Sequence, residues 1–355
     1  MNTQSRIPVA VLGATGMVGQ RFIELLQGHP WFELVALAAS EHHGGRSYGE
    51  VSRWRLPGSE MPASAARLPV VACRPGALAG VKIVFSALPG EVAGEIEVEF
   101  ARAGMSVFSN AKNYRMAADV PLIVPEVNAD HVAAIVQQRK LRNWHGCIVT
   151  NANCSATPLV MALKPLQDAF GVRKVMVTTL QAISGAGYPG LPSYDILDNA
   201  IPYIGGEEEK VETETLKMLG SWEEDVGFSD ASIVVSAQCN RVATREGHLE
   251  CASVELERDV EPEELIEVWQ GYTPEPQRLR LPSAPEHALL YRSEADRPQT
   301  LRDRDAGHGM TITVGRLRRC PILSYKFVLL GHNTIRGAAG GSILNAELCV
   351  SKGLL

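Results

Sequence analysis

The stretch HGCIVTNANCSATPLVMALKPL, residues 145–166, sets a reactive side chain in a chemically useful place. The apolar run CIVTN predicts a strand and SATPLVMAL a helix, with Pro158 near the helix start, where its missing N–H does no harm. Cys154 falls on the turn between them. At a helix N-terminus a thiolate is stabilised, and its pKa drops below the free value of about 8.5. The backbone N–H groups of the turn can hold an oxyanion. Thiolate and oxyanion site together suit nucleophilic attack on an activated acyl group.

A second stretch, VAVLGATGMVGQRF, places Gly13, Gly16 and Gly19 between a predicted strand and a predicted helix. Glycines there tighten the turn and let backbone N–H groups approach a pyrophosphate at the positive end of the helix. The spacing is G-x-x-G-x-x-G; Thr15 stands where the second glycine usually falls, and Met17 and Val18 complete the loop. The next strand ends at Ser40, followed by Glu41, His42, His43 and Arg46. A hydroxyl with nearby basic groups suits a 2′-phosphate and favours NADP, whereas Glu41 argues for the ribose diol of NAD.

These residues need a scaffold, and the first half reads as repeated strand–helix units. IPVAVLG, FELVALAAS, RLPVV, VKIVFSA, MSVFSN and PLIVPEV are short apolar runs, with helical stretches such as EVAGEIEVEFARAG between several of them. Strands of that kind indicate a doubly wound parallel α/β sheet covered on both faces. After Cys154 come the longer strands KVMVTTLQAI, SIVVSAQCNRV, HLECASVEL, GMTITVGRL and SYKFVLLG, with few helices. They fit an α+β domain with a mostly antiparallel sheet. GGEEEKVETETLKMLG predicts one of its helices, whose charges would by themselves form a solvated face. The closing NTIRGAAGGSILNAELCVSKG predicts a helix packing back on the first domain. The expected division is 1–153, 154–330 and a C-terminal helix in 331–355.

Composition narrows the function classes. The chain has 355 residues, 45% apolar and 21% charged, enough for two cores. A net charge of −6 leaves no basic footprint for nucleic acid or an anionic membrane. No apolar run approaches a membrane span and the N-terminus lacks the form of a signal peptide, so a cytoplasmic protein is expected. Seven scattered cysteines with no C-x-x-C suggest neither a disulfide framework nor a metal site; most are expected to be small buried hydrophobes, Cys147 among them.

NANCSAT resembles the active-site segment of the aspartate-β-semialdehyde dehydrogenase family, archaeal and fungal type. GATGMVGQRF, FSALPG, VFSNAKNYRM, VPLIVPEVN, QAISGAG, PYIGGEEEKVETET, CNRV…GH and HNTIRGAAGGSILNAE extend the likeness along nearly the whole chain in family order. The resemblance implies a Rossmann-type domain, an α+β catalytic and dimerisation domain, and a homodimer or homotetramer. It implies NADPH-dependent reduction of 4-phospho-L-aspartate to aspartate 4-semialdehyde and phosphate, toward lysine, threonine and methionine. Cys154 would be the nucleophile, His248 the acid/base, Gln181 the residue positioning substrate and thiol, and Asn153 part of the oxyanion site. Arg241 would clamp the substrate carboxylate, Glu207 the amino group, and Lys210 and Arg115 the phosphate. Ser184, Gly185 and Asn333 would meet the nicotinamide end. The chain departs from the family pattern at Ala152, Ala156 and Ala243 and in ASEHHGG. Malonyl-CoA reductase is the nearest alternative, N-acetylglutamyl-phosphate reductase another. A regulatory protein that kept the fold but lost the chemistry would lack at least one of Cys154, Gln181, Arg241 and His248.

Overall fold

The computed structural model describes residues 6–40 and 45–355, and the chain divides into two compact units. The first comprises 1–123, 130–151 and 342–355, the second 124–129 and 152–341.

The first unit is built on seven strands: β1 (Ile7–Leu12), β2 (Phe32–Ala39), β3 (Val70–Ala72), β4 (Ile83–Ser86), β5 (Ser106–Ser109), β6 (Leu122–Ile123) and β7 (Cys147–Asn151). They form one sheet in the order β3-β2-β1-β4-β5-β7-β6, parallel at every pairing. Strands covered on both faces have no reason to alternate, and β4, β5 and β7 are buried at every residue. Helices α1 (Met17–Leu25), α2 (Gly90–Arg102) and α3 (Ala134–Arg142) belong to this unit. Phe22 of α1 stacks on Phe85 of β4, with ring centroids 5.1 Å apart. Strand order reverses at β1, whose neighbours are β2 and β4, and such a switch point opens a crevice at the carboxyl ends of the strands. The C-terminal helix, Gly340–Ser351, is tied in where Glu347 meets His29 Nε2 at 2.8 Å.

PLIVPEV was expected to be a single strand. It pairs only at Leu122–Ile123; Pro125 starts a short turn of helix, and residues 124–129 join the second unit. A buried ion pair accounts for the departure: Arg336 Nη2 lies 2.5 Å from Glu126 Oε2, and the Tyr272 hydroxyl donates to the Glu126 carbonyl. The units therefore part at Asn151/Ala152 and Gly341/Ser342, not at 153/154 and 330/331.

The second unit carries β8 (Val172–Gln181), β9 (Ala200–Ile201), a hairpin of β10 (Ser221–Glu223) and β11 (Gly227–Ser229), then β12 (Val234–Val242), β13 (His248–Leu256), β14 (Leu289–Arg292), β15 (Ile312–Arg319) and β16 (Tyr325–Gly331). Its main sheet runs β14-β15-β16-β13-β8-β12-β9. It is parallel at β14/β15 and β8/β12 and antiparallel elsewhere. Along β13, His248, Glu250, Ala252, Val254 and Leu256 are buried while the residues between are not, the period-two pattern of a sheet covered on one face. Helices α4 (Ala156–Phe170) and α5 (Glu207–Leu219) cover that face, and α6 (Pro262–Gln270) packs on α4.

The charges of α5 are not a solvated face. Glu208 Oε1 accepts the backbone N–H of Cys239 at 3.0 Å, and Glu212 Oε1 that of Ala237 at 2.9 Å. Four residues apart on one side of the helix, the two carboxylates fasten α5 along β12.

Candidate active site

The site is assembled within the second unit from strand ends and two helix starts. Cys154 lies between β7 and α4, and its Sγ stands 3.3 Å from Nε2 of His248, the first residue of β13. Register sets the rest. Arg241 on β12 pairs with Gln181 at the end of β8, so their side chains rise together from the covered face. Both are buried, as is His248. Arg241 Nη1 donates to the Ala182 carbonyl at 2.8 Å, and Gln181 Nε2 to Thr179 Oγ1 at 3.3 Å.

Asn153 ties thiol turn and helix together. Its Oδ1 accepts the N–H groups of Ser155 and Ala156 at 2.8 and 3.0 Å, fixing the turn that leads into α4. Its Nδ2 donates to Glu207 Oε1 at 2.8 Å, and its backbone N–H to Glu214 Oε2 at 2.6 Å. The expected oxyanion turn thus has several donors engaged within the protein: Asn153 fixes the thiol's position, and the N–H groups of Ser155 and Ala156 satisfy Asn153. Glu207 also holds Lys210 Nζ at 3.0 Å. Burial alone would raise the Glu207 carboxyl, but the Asn153 bond and the Lys210 charge outweigh it and hold it below the usual range, as a carboxylate.

Burial, reinforced by the Arg241 charge, pushes the His248 ring down to about 3 from an ordinary 6.5; it is neutral at physiological pH. Burial likewise lowers Arg241, against the opposing pull of Cys154 and Glu207. Among the other thiols, burial drives Cys239 up to about 12 and raises Cys147 and Cys349, which suits inert packing; Cys251 is exposed.

Glycines admit the closest approaches. A Cβ on Gly185 would come within 2.7 Å of Arg241 Nη1 and 3.2 Å of the His248 ring. A Cβ on Gly337 would lie 2.7 Å from that of Cys154. Gly337 was not singled out from the sequence; nothing in GAAGG says which glycine faces a thiol 183 positions away. Asn333 braces the other side, accepting the Gly247 N–H at 2.9 Å through Oδ1 and donating to Ser184 Oγ at 2.8 Å.

Arg115 belongs to the first unit, where its Nη2 donates to the Asn110 carbonyl at 2.9 Å. That unit also holds the glycine loop, beside a cleft of about 520 Å³ lined by Gly13, Thr15, Gly16, Ser40, Arg74 and Leu88, among others. Gly13 has φ +72, and a Cβ there would strike the Ala87 carbonyl at 2.6 Å. One on Gly19 would meet Gly13 O at 2.3 Å, whereas Gly16 is open, its nearest atom 3.5 Å away. Two glycines thus fold the loop and the third leaves room for a ligand, which fits a dinucleotide pyrophosphate. Met17 and Val18 begin α1. Glu41, His42 and His43 lie outside the described residues, and Arg46 does not line the cleft. Arg74, just beyond β3, does; it was missed because position 74 is remote in sequence from the loop it faces. Among the described residues, no cluster of three or more His, Cys, Asp or Glu could hold a metal ion, and no helix is long and apolar enough to cross a membrane.

A nucleotide-binding sheet followed by a mixed-sheet unit with a thiol against an imidazole is the plan of a cysteine-dependent dehydrogenase. Two family models agree: the semialdehyde dehydrogenase NAD-binding domain matches residues 8–135, and the semialdehyde dehydrogenase dimerisation domain residues 163–336. The aspartate-semialdehyde dehydrogenase of Archaeoglobus fulgidus is 51% identical over 99% of this chain and 100% of its own. That of Schizosaccharomyces pombe is 48% identical over 98% and 99%. The crystal structure of the Candida albicans enzyme with NADP superposes with a TM-score of 0.91 at 41% identity, covering 98% of this chain and all of that one. The chain belongs to the aspartate-semialdehyde dehydrogenase family.

Proposed function

We propose that the protein catalyses the NADP-dependent interconversion of 4-phospho-L-aspartate with L-aspartate 4-semialdehyde and phosphate, through a thioester on Cys154. The observation that carries this reading is the contact between Cys154 Sγ and His248 Nε2, 3.3 Å, inside a ring of Arg241, Gln181 and Glu207. Cys154 attacks the acyl carbon, the C–S bond forms, and the C–O bond to phosphate breaks. Gln181 aligns substrate and thiol. Arg241 takes the substrate carboxylate with a planar pair of donors. Glu207, held as carboxylate, takes the ammonium, releasing Asn153 to the acyl group and Lys210 to the phosphate; for Arg115 a phosphate-binding role rests on the family resemblance alone.

The cleft of the first unit would hold NADP: Gly13, Thr15, Gly16 and the start of α1 would take its pyrophosphate, and Ser40 and Arg74 its 2′-phosphate. Bound as NADPH, it supplies the hydride that reduces the thioester. Ser184, Gly185 and Asn333 form the nicotinamide end of the site. The protein acts as a cytoplasmic homodimer or homotetramer, in keeping with its dimerisation domain.

A malonyl-CoA or other acyl-CoA reductase would have no ammonium for Glu207 to bind, which disfavours that alternative. The deciding experiment is a substrate panel: aspartate semialdehyde plus phosphate, malonyl-CoA and N-acetylglutamyl phosphate, each with both nicotinamide cofactors. Turnover of the first with preference for NADP is expected; turnover of malonyl-CoA alone would overturn the assignment.

A further inference from the structure

One buried hydroxyl sets the direction of the glycine loop. Ala14 is fully buried between Gly13 and Thr15, and its carbonyl accepts a hydrogen bond from the Tyr48 hydroxyl at 2.8 Å. Tyr48 opens a single turn of helix, Tyr48–Val51, and has no solvent exposure either. Its surroundings hold it there. The Tyr48 N–H donates to the Leu68 carbonyl at 2.8 Å, and Glu50 Oε2 closes the turn by accepting the Ser47 N–H at 2.9 Å. Ser52 and Gln20 hydrogen-bond the phenolic oxygen. Gln20 of α1 is fixed in turn, donating to the Arg53 carbonyl at 2.7 Å and accepting the Arg55 N–H at 2.8 Å. A carbonyl only accepts, so the one phenolic proton lies on Ala14 O. Burial pushes the Tyr48 hydroxyl up to about 12, and it stays a donor at any working pH.

Peptide planarity carries the consequence. In a trans peptide the C=O and the following N–H point in opposite directions, and the Ala14–Thr15 bond is trans. Drawing the Ala14 carbonyl inward onto Tyr48 therefore turns the Thr15 N–H outward. Thr15 lines the cleft, and Tyr48 does not. The amides on either side are spent within the fold: Ala14 N–H on the Ala38 carbonyl and Gly16 N–H on the Gly13 carbonyl, each at 3.1 Å. Among the described residues, that of Thr15 makes no hydrogen bond. The reversed peptide would turn a carbonyl oxygen toward an anionic ligand and strand the buried phenolic proton.

We propose that Tyr48 is a positioning residue for the cofactor: its hydroxyl holds the Ala14–Thr15 peptide so that the Thr15 N–H is aimed at the pyrophosphate. The proposal rests on the reading of this cleft as the NADP site and deepens it. Tyr48 touches no ligand and acts through Ala14. NADP and NAD share the pyrophosphate, so Tyr48 serves both alike, in contrast to Arg74, assigned to the 2′-phosphate.

The test is nucleotide binding to Tyr48→Phe, which removes one oxygen and keeps the ring. Calorimetric titration without substrate should give a roughly tenfold rise in Kd for both NADP and NAD, the lower end of what a hydrogen bond to a charged group contributes. 2′-AMP, which has no pyrophosphate, should bind as before. kcat at saturating cofactor and KM for aspartate semialdehyde should also hold. Unchanged dinucleotide affinity, a loss confined to NADP, or an equal loss for 2′-AMP would overturn the proposal. Should Tyr48→Phe fail to fold, wild-type protein labelled with ¹⁵N-threonine decides, its Thr15 signal identified by loss in Thr15→Ser. ADP, whose diphosphate stands in for the pyrophosphate, should shift the Thr15 amide downfield; an amide unmoved by saturating ADP contradicts the proposal. Wild-type protein that binds neither dinucleotide would defeat the cofactor reading together with this proposal, whereas an unaffected Tyr48→Phe defeats the proposal alone.

Discussion

Glu250 is fully buried on β13, between Thr179 and Leu329 of the adjoining strands, and neither carboxyl oxygen has a hydrogen-bond partner. Burial, with Glu207 adding to it, raises its pKa well above the ordinary value, so it is held as the neutral acid. The linkage has a definite sign. Above the unfolded pKa of about 4.5 the unfolded chain has shed a proton that the folded chain keeps, so this group's contribution to stability falls as pH rises. Glu250→Gln removes that dependence. Its denaturation midpoint, relative to wild type, should be higher at pH 8 than at pH 4.5; a pH-independent difference would show that Glu250 is ionised in the folded protein. His248 has the opposite sign, since a depressed histidine costs stability as pH falls below about 6.5. At this scale the sequence was legible where the cue is local. Cys154 could be chosen from seven cysteines because CIVTN and SATPLVMAL flank it. The proton state of Glu250 was not legible, because only the fold buries it and brings Glu207 near it.

Elements impose tolerances that composition hides. The turn Ile335–Ala339 brings Gly337 against Cys154, and a methyl at 2.7 Å from the cysteine Cβ requires one of them to move. Gly337→Ala should cost about 1–3 kcal/mol by overpacking. It should also lower kcat/KM on the order of 100-fold, the scale of a misplacement near 1 Å. Stopped assays beside denaturant melts check both, and wild-type kinetics in a folded variant would show that the turn yields without moving the thiol. At the other site, Arg74→Ala removes a guanidinium-bearing side chain from the cleft that Ser40 also lines. A charged hydrogen bond of about 1.5–3 kcal/mol predicts a roughly 10- to 100-fold rise in KM for NADP and little change for NAD. Equal effects on both cofactors would place the 2′-phosphate elsewhere. The principal strands were readable: every apolar run of the first half pairs in the parallel sheet, PLIVPEV over two residues only, and all five long strands of the second half are present, whereas the short β9, β10, β11 and β14 were not foreseen. The docking of α5 was not, since Glu208 and Glu212 look in sequence like any solvated acids, and only β12 beside them reveals what they accept.

For the whole molecule, the two-unit plan followed from the change of strand length and helix content after residue 154. The displaced boundaries came from contacts no local pattern encodes: Glu126 and Arg336 are 210 positions apart yet share a buried ion pair. The family resemblance identified Arg241, Glu207 and Lys210 as a set, where composition alone offered only surface charge. The central claim is that a thioester on Cys154 links reduction to phosphate transfer. It is tested most directly by mixing the enzyme with aspartate semialdehyde and NADP in the absence of phosphate. The account predicts a burst of one NADPH per active thiol, absent in Cys154→Ala, with the aspartyl adduct found on the Cys154 peptide by mass spectrometry. A burst that survives in Cys154→Ala, or an adduct on any other residue, would contradict it.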